Sequence, residues 1–78
     1  MTVTLDDIRA AAELLQGEVM RTPLRPAQRL SRRLGCELYL KLENLQYTGS
    51  FKDRGAFVKL NSLTQEQAKR GVIAMSAG

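Results

Sequence analysis

Apolar residues recur at helical spacing near the start of the chain. Four of them lie three or four positions apart and share one stripe of a helix: Leu5, Ile8, Ala12 and Leu15. Thr4 and Asp7 have the spacing of a capping box, and Gly17 is suited to end a helix. The pattern predicts an amphipathic helix from about Thr4 to Gln16.

The next part of the chain changes period. Residues 20–26 are expected to be extended, because each of the two prolines restricts the residue before it. A second helix is predicted from about Pro26 to Leu34, with Gly35 as its stop. Residues 36–42 alternate between apolar and polar side chains, which is typical of a strand. Cys36 at its start is expected to be a small buried side chain.

A loop over residues 44–49 leads into a third helical pattern. Ser50 resembles an N-cap, with Asp53 three residues later. The apolar face of the helix that follows comprises Ala56, Phe57, Leu60 and Leu63. Thr64 and Gln67 repeat the capping-box spacing, and Gly71 is expected to end that last, short helix.

The final apolar run, Val72 to Met75, does not alternate, as in a strand buried on both faces. Helices alternating with strands predict an α/β architecture, with helices packed on a partial, partly parallel sheet. Two strands do not complete such a sheet. We therefore expect residues 1–78 to be an N-terminal fragment of a larger domain, with no complete domain boundary inside the chain.

Composition excludes several classes of protein. The 78 residues carry a net charge of +4 and include one cysteine and no histidine. An intramolecular disulfide is therefore impossible, and no zinc site, haem site or imidazole base is expected. Charges interrupt every apolar run before the roughly 20 residues of a membrane span. No secretory leader is visible, so a cytoplasmic protein is expected.

Arginines are concentrated in the second quarter of the chain. Five of the twelve basic residues lie there with no acid among them: Arg21, Arg25, Arg29, Arg32 and Arg33. A basic helix can bind nucleic-acid phosphates, so a small basic binding module is a competing hypothesis. A spacing of four is more typical of a solvated face, and no helix-turn-helix partner or stacking aromatic accompanies it. We expect no nucleic-acid partner.

Lys52 is the strongest candidate for a chemically reactive residue. It is predicted in the first turn of a helix, where backbone N–H groups make the surroundings positive, and Arg54 adds a second cation. Both effects favour a lowered pKa for the ammonium, and a neutral amine can form a Schiff base with a carbonyl. Gly49 and Gly55 leave space for a flat group near the backbone. The alternative is a lysine that is merely solvated at a helix start.

The segment Lys41-Leu-Glu-Asn-Leu-Gln-Tyr-Thr-Gly-Ser-Phe-Lys-Asp-Arg-Gly-Ala56 resembles the cofactor-lysine segment of the pyridoxal-phosphate-dependent serine/threonine dehydratases, which are fold-type II (tryptophan synthase β-like) enzymes. Ser76-Ala77-Gly78 resembles the start of the substrate loop of the same family. Arg-Thr-Pro-Leu at residues 21–24 also matches the family's N-terminal part. The resemblance covers essentially the whole chain.

The resemblance implies a role for each matching residue. Lys52 would bind pyridoxal 5'-phosphate as a Schiff base and then remove the substrate Cα proton, with Phe51 packed beside the cofactor ring. Ser76, Ala77 and Gly78 would begin the loop that holds the substrate carboxylate. The implied reaction is the deamination of L-threonine, or possibly L-serine, to a 2-oxo acid and ammonia, with 2-oxobutanoate as the product from threonine.

Position 77 separates members of the family. Relatives that racemise serine carry a serine there as an acid and base, whereas Ala77 cannot exchange a proton. A dehydratase acting on L-threonine therefore fits the resemblance better than a racemase, and a serine dehydratase or racemase of the same family is the alternative. It also implies amino-acid metabolism such as isoleucine biosynthesis, a homo-oligomeric full-length enzyme, and no metal or membrane partner. The family's phosphate-binding loop has no counterpart in these residues, so the fragment alone is expected to be inactive.

Overall fold

The structure is a computed structural model that describes residues 2–77. Short helices and two short strands make up these residues. In chain order the elements are α1 (Leu5–Leu15), β1 (Leu24–Pro26), α2 (Gln28–Leu34), β2 (Tyr39–Lys41), a 3-10 turn (Glu43–Leu45), α3 (Lys52–Asn61) and α4 (Gln65–Arg70). The order agrees with the sequence prediction for residues 4–71. The 3-10 turn lies in the segment predicted as a loop.

Two helices begin at the capping boxes that the sequence predicts. At α1, Oγ1 of Thr4 accepts from the N–H of Asp7 (3.1 Å), and the Asp7 carboxylate accepts from the N–H of Thr4 (2.9 Å). The hydrogen bonds from Thr4 lower the pKa of Asp7. Thr64 and Gln67 make the same reciprocal pair at α4. Each box satisfies backbone donors that a helix end leaves without an internal partner.

The two strands form an antiparallel pair, and the partly parallel sheet that the sequence predicts is not seen in residues 2–77. Leu24 faces Lys41, and Pro26 faces Tyr39. The physical reason lies in the connection, which holds only the seven-residue helix α2. The N–H of Ala27 donates to the carbonyl of Leu38 (2.9 Å) and closes that connection at its base. The strands leave this closure in opposite directions, as in a hairpin.

The predicted strand at Val72 to Met75 is not observed. This segment has no regular secondary structure, and Ile73 and Met75 are fully exposed. A strand needs a neighbour for its N–H and C=O groups, and the sheet of the described chain contains β1 and β2 alone. The apolar character of the run therefore finds no burial here.

Burial is concentrated where α1 ends and the polar loop segments meet. Leu15 is the one apolar side chain of the described chain that is classed as buried, while Thr22 and Gln46 are each 5% exposed. α1 contacts α3, but much of the apolar stripe of α1 remains open. The Cα radius of gyration is 16.3 Å, whereas a compact domain of this length has about 11–12 Å. Polar contacts thus organise the interior more than apolar packing does.

Two smaller features complete the fold. Cys36 is exposed, contrary to the expectation of a buried side chain, because it follows the left-handed residue Gly35 at the open end of α2. None of the helices in residues 2–77 is both long enough and apolar enough to cross a membrane.

Candidate functional site

Lys52 is the first residue of α3, and Phe51 occupies the N-cap position. The predicted cap, Ser50, lies one residue further out, where its Oγ accepts a hydrogen bond from the N–H of Lys52 (3.2 Å). The helix therefore begins later than the sequence suggests, and Ser50 still satisfies one of its exposed N–H groups. The result places Lys52 at the positive end of the helix dipole.

The side chains of Phe51 and Lys52, which are neighbours in the chain, also lie close together. Nζ of Lys52 stands 5.8 Å from the centroid of the Phe51 ring, a cation–π distance. Both side chains are exposed, Phe51 to 65%. Within residues 2–77, Nζ of Lys52 makes no hydrogen bond or ion pair with the protein. Its amine is therefore accessible and is not neutralised by a carboxylate of the described fold.

The turn before α3 is tied to the helix by Asp53. The Asp53 carboxylate accepts from the hydroxyl of Thr48 and from its backbone N–H (3.3 Å to the latter). Gly49, which follows, has φ +81°, a left-handed conformation that favours glycine. Its N–H donates to the carbonyl of Gln46 (2.9 Å). The chain thus reverses tightly just before the lysine.

Glu43 is the centre of a polar cluster beneath α3. Its carboxylate accepts from Nε and Nη2 of Arg54, the latter at 3.2 Å, and from the hydroxyl of Thr22. The Glu43 side chain is 15% exposed and that of Arg54 is 35% exposed. The hydrogen bonds from Arg54 and then from Thr22 lower the pKa of Glu43 to about 2. Arg54 is thus neutralised by Glu43 rather than standing as an unpaired cation beside Lys52.

Gln46 extends this cluster to the segment before β1. Its Oε1 accepts from the N–H of Met20 (2.9 Å), and its Nε2 donates to the carbonyl of the same residue (2.8 Å). Nε2 also lies 3.3 Å from both carboxylate oxygens of Glu43. Nζ of Lys41 donates to the carbonyl of Thr22 (2.6 Å). We call Thr22, Glu43, Gln46 and Arg54 the anchor cluster.

Sequence reasoning missed the anchor cluster. Glu43 and Arg54 were visible as charged residues of one motif, but their pairing spans 11 positions and depends on the path of the loop between them. Thr22 and Gln46 gave no signal of their own, since both residue types are common on surfaces. The available clue was the order of three residues: Glu43 at the start of a loop, Gln46 within that loop, and Arg54 in the helix that follows.

The surface around Lys52 can accept a flat group of the kind implied by the resemblance. Gly55 is three residues after Lys52, so both lie on the same side of α3. A Cβ added at Gly55 would meet no atom within 4 Å, which leaves open space over the helix backbone. An amine, an aromatic ring and an open glycine surface therefore adjoin one another. The residues present fit pyridoxal phosphate.

The other predicted site residues lie at the far end of the chain. Ser76 and Ala77 belong to the exposed segment after α4, and Gly78 lies outside the described residues. Their position relative to Lys52 stays a prediction. No cluster of three or more potential metal ligands occurs in residues 2–77. The arginines of α2 are exposed, as expected of a solvated face.

Comparison with protein families gives a match over nearly the whole chain. A family model described as "Pyridoxal-phosphate dependent enzyme" matches residues 3–78. No solved structure matches.

Several curated proteins are similar to the chain. It is 53% identical over 76 residues to the L-threonine ammonia-lyase of Thermotoga maritima, covering 97% of this chain and 19% of that protein. It is 46% identical over 78 residues to L-threonine dehydratase catabolic TdcB of Escherichia coli strain K12, covering 100% of this chain and 24% of that protein. For TdcB of Staphylococcus aureus strain USA300 the identity is 48% over 77 residues, covering 97% and 22%. The chain spans about a fifth to a quarter of these relatives.

Proposed function

The chain belongs to the family of pyridoxal-phosphate dependent enzymes, and from this premise we propose that it carries the cofactor-binding lysine of an L-threonine dehydratase. The observation that carries the proposal is the placement of Lys52. Its amine stands at the start of α3, accessible and without a carboxylate partner in the described fold. The names of the relatives support threonine as the substrate.

Lys52 and Phe51 have distinct tasks in this proposal. When bound, pyridoxal phosphate supplies an electron-accepting ring that stabilises negative charge at the substrate Cα. Nζ of Lys52 would hold the cofactor and would then take the proton from the substrate Cα. Phe51, whose ring lies 5.8 Å from this amine, would pack beside the cofactor ring. The open surface of Gly55 admits the ring close to the backbone.

Substrate binding is assigned to Ser76, Ala77 and Gly78, whose N–H groups and hydroxyl would hold the amino-acid carboxylate. Ala77 has no group that could deliver a proton to the opposite side of Cα, which favours elimination over racemisation. L-Threonine then yields 2-oxobutanoate and ammonia, with the elements of water first lost and then regained. Serine dehydratase or serine racemase activity is the alternative within the family.

The domain to which these residues belong, its oligomeric state and its cellular location are also parts of the proposal. We place these residues in the N-terminal part of a fold-type II catalytic domain, in which residues 72–75 would pair as a parallel strand with a neighbour. Their apolar character and the full exposure of Ile73 and Met75 support this pairing. A cytoplasmic homo-oligomer that binds a small amino acid, and neither nucleic acid nor membrane, is consistent with the family.

Replacement of Lys52 tests the proposal in the protein expressed from its complete coding sequence. Lys52→Ala is expected to abolish both the visible absorption band of the lysine-bound cofactor and the formation of 2-oxobutanoate. Lys59→Ala is the matched control, since this lysine is on the last turn of the same helix and is also exposed. If Lys52→Ala retained the band and the product, the proposal would be wrong.

A further inference from the structure

We propose that Glu43 and Arg54 form a positioning pair that fixes the first turn of α3 and so holds Lys52 toward its ligand. This inference rests on the proposed function, since it assigns a purpose to the orientation of Lys52. Neither residue is placed in contact with cofactor or substrate. Both act through the backbone of the helix that carries the lysine.

Three separated parts of the chain meet at the Glu43 carboxylate. Thr22 belongs to the extended segment before β1, Glu43 follows β2, and Arg54 lies in the first turn of α3. The contact with Arg54 uses two nitrogens of the guanidinium, a fork geometry that restricts orientation as well as distance. Nη2 of Arg54 also lies 3.5 Å from the carbonyl of Met20. The sheet and α3 are thereby joined by a directional contact.

The helix geometry converts this contact into an orientation for Lys52. Residues two apart on a helix point about 200° apart, so Arg54 and Lys52 project from nearly opposite sides of α3. With Arg54 directed inward to Glu43, Lys52 is directed outward, where its amine is accessible. Rotation of the helix about its axis would break the contact with Glu43. The pair therefore sets which side of the helix presents the amine.

A second tie restrains the same turn. Asp53, between Lys52 and Arg54, accepts two hydrogen bonds from Thr48. Asp53 is thus bound to the preceding loop and Arg54 to the anchor cluster. The N–H groups of residues 55–58, which donate to carbonyls of the N-cap and first turn of α3, are expected to exchange slowly, because opening this turn requires these contacts to break.

Hydrogen exchange in the cofactor-free protein tests the restraint without any reading of activity. Glu43→Gln keeps the shape of the side chain but loses its charge. We expect amide exchange in residues 55–58, whose N–H groups donate to carbonyls at the start of α3, to become about tenfold faster, the effect of weakening hydrogen bonds to a charged group. Exchange in α4, residues 65–70, is the internal reference and should not change.

Thr22 offers a milder pair of variants should Glu43→Gln fail to fold. Thr22→Val removes the hydroxyl that donates to Glu43 but keeps the side-chain shape, whereas Thr22→Ser retains the donor. Faster exchange at residues 55–58 is expected for the valine variant and recovery toward the wild-type rate for the serine variant. Thr64→Ala, which removes the distant cap of α4, controls for a general loss of stability.

Activity then shows whether the restraint matters for the lysine. In the cofactor-loaded protein, Glu43→Gln should lower kcat by about tenfold and leave the KM for the amino acid nearly unchanged, because the substrate contacts are elsewhere. Unchanged exchange at residues 55–58, or a matching change at α4, would overturn the proposal. An intact cofactor band in Lys52→Ala would instead refute the proposed function and leave the exchange result standing.

Discussion

The carboxylate of Glu43 receives Arg54 through two guanidinium nitrogens, across a loop that contains the turn leading to Lys52. The pair thus closes a loop around the motif that the sequence singled out. Because Glu43 begins the 3-10 turn after β2 and Arg54 lies in α3, the ion pair joins the segment after the sheet to the helix. Its properties lead to measurable consequences.

The Glu43 carboxylate should make the free energy of unfolding depend on pH. Its pKa falls to about 2 from an ordinary 4.5, because Arg54 and Thr22 stabilise the ionised form. A lowered pKa in the folded state means that the stabilisation is complete above pH 4.5 and is lost as the pH falls toward 2. Unfolding midpoints of wild type and Glu43→Gln should differ at pH 6 and converge near pH 2. A difference that stayed constant with pH would contradict this assignment.

Gly49 should resist substitution because of its backbone conformation. Its φ of +81° is left-handed, and a Cβ there costs about 1–2 kcal/mol. Gly49→Ala is therefore expected to lower the free energy of unfolding by that amount, measured by denaturant titration. Gly49→Asn, a residue better tolerated in this conformation, should lose less. Equal losses in the two variants would show that the turn relaxes.

Gly55 should respond in the opposite direction. It lies inside α3, has no atom near the position of a Cβ, and does not have a positive φ. Gly55→Ala should therefore stabilise the cofactor-free protein by about 0.5–1 kcal/mol. If the cofactor ring lies against this surface, the same methyl group should weaken cofactor binding. Thermal unfolding without cofactor and a titration with pyridoxal phosphate measure the two effects separately, and unweakened binding would exclude this approach to the helix.

The capping threonines should contribute in a way that depends on their hydroxyls. Thr4→Ala removes the acceptor for the N–H of Asp7 and should destabilise the protein by about 1 kcal/mol. Thr4→Ser keeps the oxygen and should retain most of the stability. Chemical denaturation compares the two variants. A loss of the same size in the serine variant would show that the methyl group, and not the cap, matters.

Local patterns predicted the helices well because their signals are local. The capping boxes at Thr4 and Thr64 depend on residues three apart, and both are present. The antiparallel direction of β1 and β2 depends on how α2 returns the chain, which local patterns do not specify. The strand expected at Val72 to Met75 failed since a strand also needs a neighbour, which a hydrophobic run does not specify.

The residues of the candidate site also differ in whether a local pattern could point to them. Phe51 and Lys52 were singled out from one continuous motif, and their side chains lie close together because the residues are adjacent. Their contact with a cofactor stays a prediction. The anchor cluster was missed because its members come from three segments, and hydrogen bonds between distant segments depend on the folded path. Thr22 and Gln46, the most buried polar residues of the described chain, are ordinary in sequence and become informative only through their partners.

Gln46 has a consequence for how the sequence can vary. Its side chain hydrogen-bonds both the backbone N–H and the backbone carbonyl of Met20, so the contact does not depend on the side chain at position 20. Any residue with a backbone N–H, and therefore any residue except proline, offers the same two groups. Mutational drift at position 20 is thus tolerated by this contact, while at position 46 even a change to glutamate removes the donor and sets a second negative charge beside Glu43. This contact therefore requires glutamine at position 46, whereas it places no requirement on the side chain at position 20.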